Sequence, residues 1–239
     1  MARTPIWKSI AATLSGEIAD GRYQPGDKLP TEAQLAARFG VNRHTVRHAL
    51  SALVTDGTVH TRRGAGAFVA QTPTDYPIGK RVRFHQNVAA AGRRPTKDVR
   101  AIETRQSNAA EAEALGLQAH TLVHVCDGLS LADGQPIAIF QSIFPAQQFP
   151  DLPAALTASG SVTQALAVSG VPDYTRAWTR LTAKAATATQ ALHLRIPEGA
   201  PILRSVGVNV DPSGTPVEYG RTWFAGDRVT LTLGDGIPE

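Results

Sequence analysis

The chain has 239 residues, 42% of them hydrophobic and 18% charged, the size of two modest domains and the composition of a folded protein rather than a disordered one. No apolar run approaches the length of a membrane span, the first residues lack the apolar core of an export signal, and the single cysteine, Cys126, excludes an internal disulfide and a multi-cysteine metal centre. These features predict a cytoplasmic protein without membrane contact, with Cys126 as a buried thiol. The net charge is +4, and its placement matters more than its size: residues 1–72 carry nine Lys/Arg against five Asp/Glu, whereas residues 73–239 carry fifteen of each. A basic excess confined to one end, beside His44, His48 and His60, directs that end toward an anion such as nucleic acid.

In chain order, Ile6, Ile10, Leu14 and Ile18 mark one face of a first helix, ended by Gly21 before a Pro25-Gly26 turn. Thr31 followed by Gln34 is a capping box that starts a second helix, with Leu35 and Phe39 inward and Gly40 as its stop. Asn42 caps a third helix; Val41 and Val46 form a hydrophobic staple, and Leu50 and Leu53 continue the buried stripe. Asp56-Gly57 turns the chain into a hairpin, 58–62 and 67–69, around Arg63-Gly64-Ala65-Gly66. The order is that of a winged helix-turn-helix. Residues 71–77 read as a polar, proline-containing linker between a domain at 1–70 and another at 78–239. Beyond it, Phe84, Val88 and Ala91 predict a short helix ending at Gly92. Two hairpins follow, 121–131 with 136–144 and 201–210 with 216–224, each preceded by a helix signal. The helix signals lie 77 residues apart and the turns 80, a weak internal repeat that predicts one α+β domain with a mostly antiparallel sheet.

A third helix of this kind lies in the DNA major groove. Its exposed positions are Arg43, His44, Arg47 and His48; Arg43 and Arg47, four apart near the helix start, suit a guanine edge or a phosphate. Asn42 and Thr45 cap the helix or donate to phosphates. A wing tip of Gly64, Ala65 and Gly66, with Arg62 and Arg63 beside it, suits close approach to a minor groove. The segments Pro25-Gly26-Asp27-Lys28-Leu29-Pro30-Thr31-Glu32, Leu35-Ala36, Gly40-Val41-Asn42-Arg43, Thr45-Val46-Arg47 and Gly64-Ala65-Gly66-Ala67-Phe68-Val69 resemble the N-terminal domain of the GntR family of bacterial repressors over about residues 5–70. The family usually has Ser where Asn42 stands, and both are N-caps. The resemblance implies that Thr31, Glu32, Arg38, Arg43, Thr45, Arg47 and the 64–66 wing meet DNA.

Residues 78–233 resemble the UTRA effector domain of the HutC branch, which shares its fold with chorismate lyase. The resemblance is carried by Phe84, Gly92-Arg93-Arg94-Pro95, Asp133-Gly134-Gln135-Pro136, Phe144-Pro145, Gly160-Ser161-Val162, Gly199-Ala200-Pro201 and the run 216–228. Arg81-x-Arg83-Phe84 with Asn87, Trp178-Thr179-Arg180 and Glu218-Tyr219-Gly220-Arg221-Thr222 are similar to regulators of phosphonate metabolism. Members of the branch that respond to sugar phosphates commonly carry Arg-x-Arg before the Asp-Gly-x-Pro turn and Glu four residues after its Pro. Here those places hold Gly128, Ser130 and Phe140, which points away from a sugar phosphate. In their stead Arg81, Arg83, His85 and Gln86 surround the start of the helix at Phe84, a fitting place for a small tetrahedral anion. Ser161 and Thr163 open another helix and add hydroxyl donors. On the last strand Glu218 and Gly220 share one face, Tyr219 and Arg221 the other; the resemblance favours Glu218 in the pocket, with Arg221 reaching around a strand end. The alternative for each arginine is a surface ion pair with Asp127, Asp173 or Asp227.

Trp178, Trp223, Phe140 and Phe144 read as core. The histidines have no spacing suited to zinc apart from His44 with His48, on a helix expected to face DNA without a third ligand, so no metal or other cofactor is expected. No nucleophile elbow, phosphate-binding loop or paired-carboxylate motif appears, and fold similarity to an enzyme does not carry activity. The expectation is a non-enzymatic regulator that binds an inverted-repeat, double-stranded operator as a homodimer and answers to a phosphonate- or phosphate-like anion.

Overall fold

A computed structural model describes residues 5–62, 64–70 and 73–233. The chain divides between Thr72 and Pro73 into two compact units.

The first unit consists of α1 (Ile6–Ala19), α2 (Glu32–Phe39), α3 (Arg43–Thr55) and an antiparallel hairpin, β1 (Val59–Arg62) with β2 (Gly66–Val69). Local chemistry sets these boundaries. Thr31 accepts from the Gln34 amide at 3.3 Å while Gln34 returns a contact to the Thr31 amide at 2.9 Å, so two of the unpaired donors at the α2 start are satisfied. Gly40, at φ 63°, ends α2 in the left-handed region that favours glycine. Asn42 accepts from the Thr45 amide at 2.8 Å and starts α3. Leu14, Leu35 and Val46, all fully buried, meet with Ile10, Leu50 and Leu53 in one core, each large aliphatic side chain contributing about 1.5–3 kcal/mol.

The second unit contains β3 (Thr74–Pro77), α4 (Phe84–Ala90), β4 (Pro95–Gln106), α5 (Ala109–Leu115), β5 (Leu122–Ala132), β6 (Gln135–Pro145), α6 (Leu152–Ser159), α7 (Val162–Val168), β7 (Thr175–Ala185), α8 (Ala188–Leu194), β8 (Pro201–Val210), β9 (Pro216–Ala225) and β10 (Val229–Thr232). Six strands form one antiparallel sheet in the order β4-β5-β6-β9-β8-β7, and β3 pairs in parallel with β10. The linker expected at 71–77 is therefore corrected at its C-terminal end. Thr74–Pro77 is a strand of the second unit, because alternate residues Thr74 and Tyr76 are buried and Tyr76 packs against Phe224; Gln71 and Thr72 lie outside the described residues.

The internal repeat is longer and more regular than the sequence suggests. The units β4-α5-β5-β6 and β7-α8-β8-β9 correspond at an offset of 79 residues through the helix and the strand after it, not 77, and of 80 from the turn onward. Asn108 and Thr187 cap α5 and α8, each completing a capping box with Glu111 and Gln190. Gly116 and Arg195 end them in the left-handed region at φ 66° and 54°. The amide of Ser107 bonds Thr121 O, and the amide of Ala186 bonds Ala200 O, each at 2.9 Å. α5 packs on β9 and α8 on β6, so the two halves exchange their helices about a pseudo-two-fold axis between β6 and β9. The helical face buries Val125, Ile143, Val208 and Tyr219. The opposite face is split: α6 and α7 cover Cys126, Phe140 and Phe144 on the first half, whereas the second half borders a cavity.

Candidate functional site

In the first unit, Arg43, His44, Arg47 and His48 all lie exposed on α3. They do not act as one patch. His48 turns toward α1 and stacks on Trp7 with ring centroids 4.2 Å apart. Arg47 forms a two-point ion pair with Glu32, Nε to Oε1 at 2.9 Å and Nη2 to Oε2 at 2.7 Å, which holds the Glu32 carboxyl below its usual range. A cleft of about 560 Å³ runs past Lys28, Thr31, Glu32, Arg47, Ser51, Thr61, Gly64 and Gly66, joining the start of α2, the Arg47 side of α3 and the wing. Gly64 and Gly66 have φ of 75° and 110°, a turn that suits residues without a side chain. Arg38 pairs with Glu17, with Nη1 to Oε2 at 2.9 Å. Arg62 ends β1; its side chain, and the whole of Arg63, lie outside the described part.

In the second unit, a cavity of about 80 Å³ opens on the sheet face opposite α5 and α8. Alternation puts Glu218, Gly220, Thr222 and Phe224 of β9 on that face, with Ser205 and Asn209 of β8 and Ser142 of β6 beside them. Glu218 is buried; it accepts from Ser142 Oγ at 2.6 Å and from Asn209 Nδ2 at 2.5 Å. Two cations enter from the edge strands. Lys97 of β4 holds its ammonium 3.7 Å from the centre of the Phe140 ring and 5.6 Å from that of Phe84. Its side chain has no hydrogen bond to a described residue, and burial draws its pKa below the lysine range although Glu218 opposes this. Arg176 of β7 precedes a register shift between Arg176 and Trp178, a bulge that re-aims the strand. Its Nε is buried without a partner, as is Thr179 Oγ1. Buried donors left unpaired cost about 1–3 kcal/mol each. His85 also lines the cavity, and burial and then Lys97 push it below the usual imidazole range.

Of the residues expected around Phe84, Arg83, His85, Gln86, Ser161 and Thr163 meet in one pocket, and Arg81 stays outside it. Arg81 is exposed and donates to Asp173 Oδ2 at 2.5 Å. Arg83 is buried, bonds Asp173 Oδ1 at 3.0 Å and Tyr174 O at 2.7 Å, and stacks on the Tyr174 ring at 3.4 Å. The surface-pair alternative thus describes Arg81 fully and Arg83 in part; Arg83 Nη1 remains buried and unpartnered. Arg83 and Gln86 line an outer vestibule of about 310 Å³ with His85, Ser161 and Thr163, and Phe84, His85, Ser161 and Thr163 reach the inner cavity as well. Ser130 is buried opposite Lys97 but is not on the cavity wall. Arg221 lies with Tyr219 on the far face, donating to Gln141 Oε1 at 3.1 Å and standing 3.6 Å from Glu111; the expectation that it reaches around the strand end is corrected, because strand alternation commits it to the α5 side. Trp178, expected in the core, is 42% exposed on edge strand β7.

Residues 7–69 match the model of the bacterial regulatory proteins of the gntR family, and residues 90–230 match the UTRA domain. An uncharacterized HTH-type transcriptional regulator of Rhizobium meliloti is 36% identical over 95% of this chain and 94% of its own. The probable transcriptional regulator PhnF of Escherichia coli is 32% identical over 95% and 94%. The crystal structure of PhnF from Mycobacterium smegmatis superposes with a TM-score of 0.67 at 25% identity, covering 96% of this chain and 100% of that one. The chain belongs to the GntR family. It is a GntR-type transcriptional regulator with a UTRA effector domain, and no helix among its described residues is long and apolar enough to cross a membrane. In this GntR protein the described residues hold no cluster of three metal-ligating side chains.

Sequence reasoning missed Lys97, Arg176, Asn209, Ser142, Ser205, Thr179, Tyr174 and Thr222. A signal existed: at the 79-residue offset Lys97 aligns with Arg176, Ser130 with Asn209 and Gly128 with Gly207, and the register pairs Lys97 with Ser130 and Arg176 with Asn209 in the same way. The glycines have a shared cause. A Cβ at Gly128 would lie 2.3 Å from Asp98 O and 2.8 Å from the Phe140 ring; at Gly207 it would lie 2.2 Å from Arg176 Nη1 and 2.5 Å from Trp178 O. A side chain at 128 has no room beside Phe140 and the Asp98 carbonyl.

Proposed function

We propose that this protein is a homodimeric repressor of genes for phosphonate uptake or catabolism, released from an inverted-repeat operator by a small phosphonate- or phosphate-like anion. The observation that carries the reading is the pair Lys97 and Arg176: two cations facing one cavity, neither in an ion pair with a described side chain. An anion offers both the acceptors they lack, through charge-assisted hydrogen bonds. Support for the phosphonate class comes from the resemblance of the Arg81–Asn87 and Glu218–Thr222 segments to phosphonate regulators, and from the small size of the cavity. Edge strand β7, with Trp178 and Leu181 exposed, supports the sheet as the dimer surface, and two heads related by a two-fold axis match an inverted repeat. In the head, Arg47 reads a base once Glu32 hands it over, while Arg38 contacts the backbone; Asn42, Arg43, His44, Thr45 and the wing complete the interface. The anion acts by favouring one arrangement of the heads, since equal binding to both would regulate nothing.

The test is a titration of the operator complex with methylphosphonate, inorganic phosphate and a hexosamine phosphate, in wild type, Arg176→Ala and Arg83→Ala. Release by the small anions, lost in Arg176→Ala and weakened in Arg83→Ala, is expected; release by the sugar phosphate alone would refute the reading. On DNA, Arg47→Ala is expected to cost about 1–3 kcal/mol on the operator and little on random sequence, whereas Arg38→Ala lowers both and flattens the salt dependence.

A further inference from the structure

The cavity carries a negative charge as well as two positive ones, and that combination narrows the ligand. Glu218 is 7% exposed. Its two described partners, Ser142 and Asn209, are neutral, and each occupies one acceptor site on a different oxygen. A carboxylate has about four such sites, so each oxygen retains one. No described cation is within ion-pair distance of Glu218, although Lys97 and Arg176 line the same cavity. The fold does not require the charge: the residue at the equivalent place in the first half of the repeat is Ala138, fully buried among Ile137, Val88 and Phe224. For a bare anion, a buried carboxylate beside the binding cations works against affinity by like-charge repulsion. A group of opposite sign turns it into a partner.

We propose that the effector is a small zwitterion, an anionic head joined by a very short linker to an ammonium, with the head between Lys97 and Arg176 and the ammonium on Glu218. This rests on the anion reading of the same cavity. The inner cavity is small, about 80 Å³, against about 310 Å³ for the vestibule that shares His85, Ser161 and Thr163 with it, so a short linker suits the inner site. The Phe140 and Phe84 rings supply an apolar wall for the linker.

The experiment is calorimetric titration of the full-length protein with aminomethylphosphonate, methylphosphonate and inorganic phosphate, in wild type and Glu218→Gln. Wild type is expected to bind the amino compound at least tenfold more tightly than methylphosphonate. Glu218→Gln is expected to erase that preference while keeping, or improving, its hold on methylphosphonate. Equal affinities in wild type, a comparison that needs no variant to fold, would overturn the proposal and leave the anion reading intact; so would a preference that survives in Glu218→Gln. Binding of none of the three by wild type would remove the anion reading and this proposal with it.

Discussion

The two halves of the effector domain follow one chain path and fill it differently. At equivalent positions on the open face of the sheet, the first half carries Cys126, Gly128, Ser130, Ala138 and Phe140, and the second carries Ser205, Gly207, Asn209, Glu218 and Gly220. In the first set Cys126 and Phe140 pack under α6 and α7, with Phe144, Leu152 and Leu166 fully buried beside them, and Ala138 is buried against Val88 and Phe224. The second set leaves a cavity walled by a carboxylate, an amide and hydroxyls. The backbone ladders and caps are shared, so the difference lies in the side chains and in α6 and α7, which follow β6 and have no counterpart after β9 among the described residues. One half stabilises the fold and the other accepts the polar groups that a ligand needs. Even the basic residue from the edge strand is used in both halves, Lys97 resting on aromatic rings and Arg176 folding over a glycine.

Several substitutions test whether that division of labour holds. The largest effect is expected for Arg176→Ala. Charge-assisted hydrogen bonds contribute about 1.5–3 kcal/mol, so anion affinity measured by calorimetry falls roughly 10- to 150-fold. The ligand-free melting temperature does not fall, because the guanidinium Nε is unpartnered in the fold. Unchanged affinity would place the ligand elsewhere.

Next comes the glycine pair. Gly128→Ala presses on the Asp98 backbone and the Phe140 ring and is expected to cost about 1–3 kcal/mol of stability by overpacking. Gly207→Ala strikes the Trp178 carbonyl and displaces the Arg176 guanidinium. It therefore loses stability on the same scale and, unlike Gly128→Ala, loses anion binding beyond what its folded fraction explains. Chemical denaturation and calorimetry on the same samples separate the two outcomes.

A reciprocal exchange is smaller. Cys126 is fully buried in an apolar cluster, where burial pushes its thiol up to about 11. Cys126→Ser buries a hydroxyl there and is expected to cost about 1–3 kcal/mol, whereas Ser205→Cys on the cavity wall stays within about 0.5 kcal/mol. Equal costs would mean that the halves are not differentiated at this layer.

The smallest effect is a pH slope. Burial depresses the Lys97 ammonium below its ordinary value of 10.5. The unfolded chain then binds more protons in the window between the depressed value and 10.5, and stability from this residue rises with pH across it. Lys97→Met removes that rise, so its advantage over wild type in denaturant unfolding, about 1 kcal/mol at neutral pH, shrinks toward pH 10. A bound anion opposes the depression, so wild type is expected to take up protons when it binds ligand within that pH window and Lys97→Met is not.

The legibility of the chain follows the range of the interactions. Thr31 with Gln34 and Asn42 with Thr45 act within one helical turn, and their caps form as the sequence predicts. The hairpins around Asp133-Gly134 and Ser213-Gly214 were equally visible. Strands β4 and β7 were not, since both are sheet edges: Thr96, Asp98, Arg100, Ala177, Arg180 and Thr182 face solvent, and an edge strand needs no apolar alternation to hold its place. Losing those strands meant losing Lys97 and Arg176. Arg81 and Arg83, by contrast, were conspicuous as a pair, but Asp173 lies ninety residues away in the chain and only folding brings it to them.

By itself the sequence determined the winged helix-turn-helix, its basic third helix, the duplicated helix-hairpin plan and the sharing of one face of β9 by Glu218 and Gly220. Those features rest on capping, turn geometry and strand alternation, each of which acts within a few residues. Tertiary structure alone decided which charges meet. Lys97, Arg176 and Glu218 come from β4, β7 and β9, and they share a cavity because an antiparallel sheet with a pseudo-two-fold axis turns both edge strands toward the same face. Burial then gives that meeting its energy: in water three such charges would be screened, whereas in a small cavity of low dielectric they act on one another and on whatever enters far more strongly.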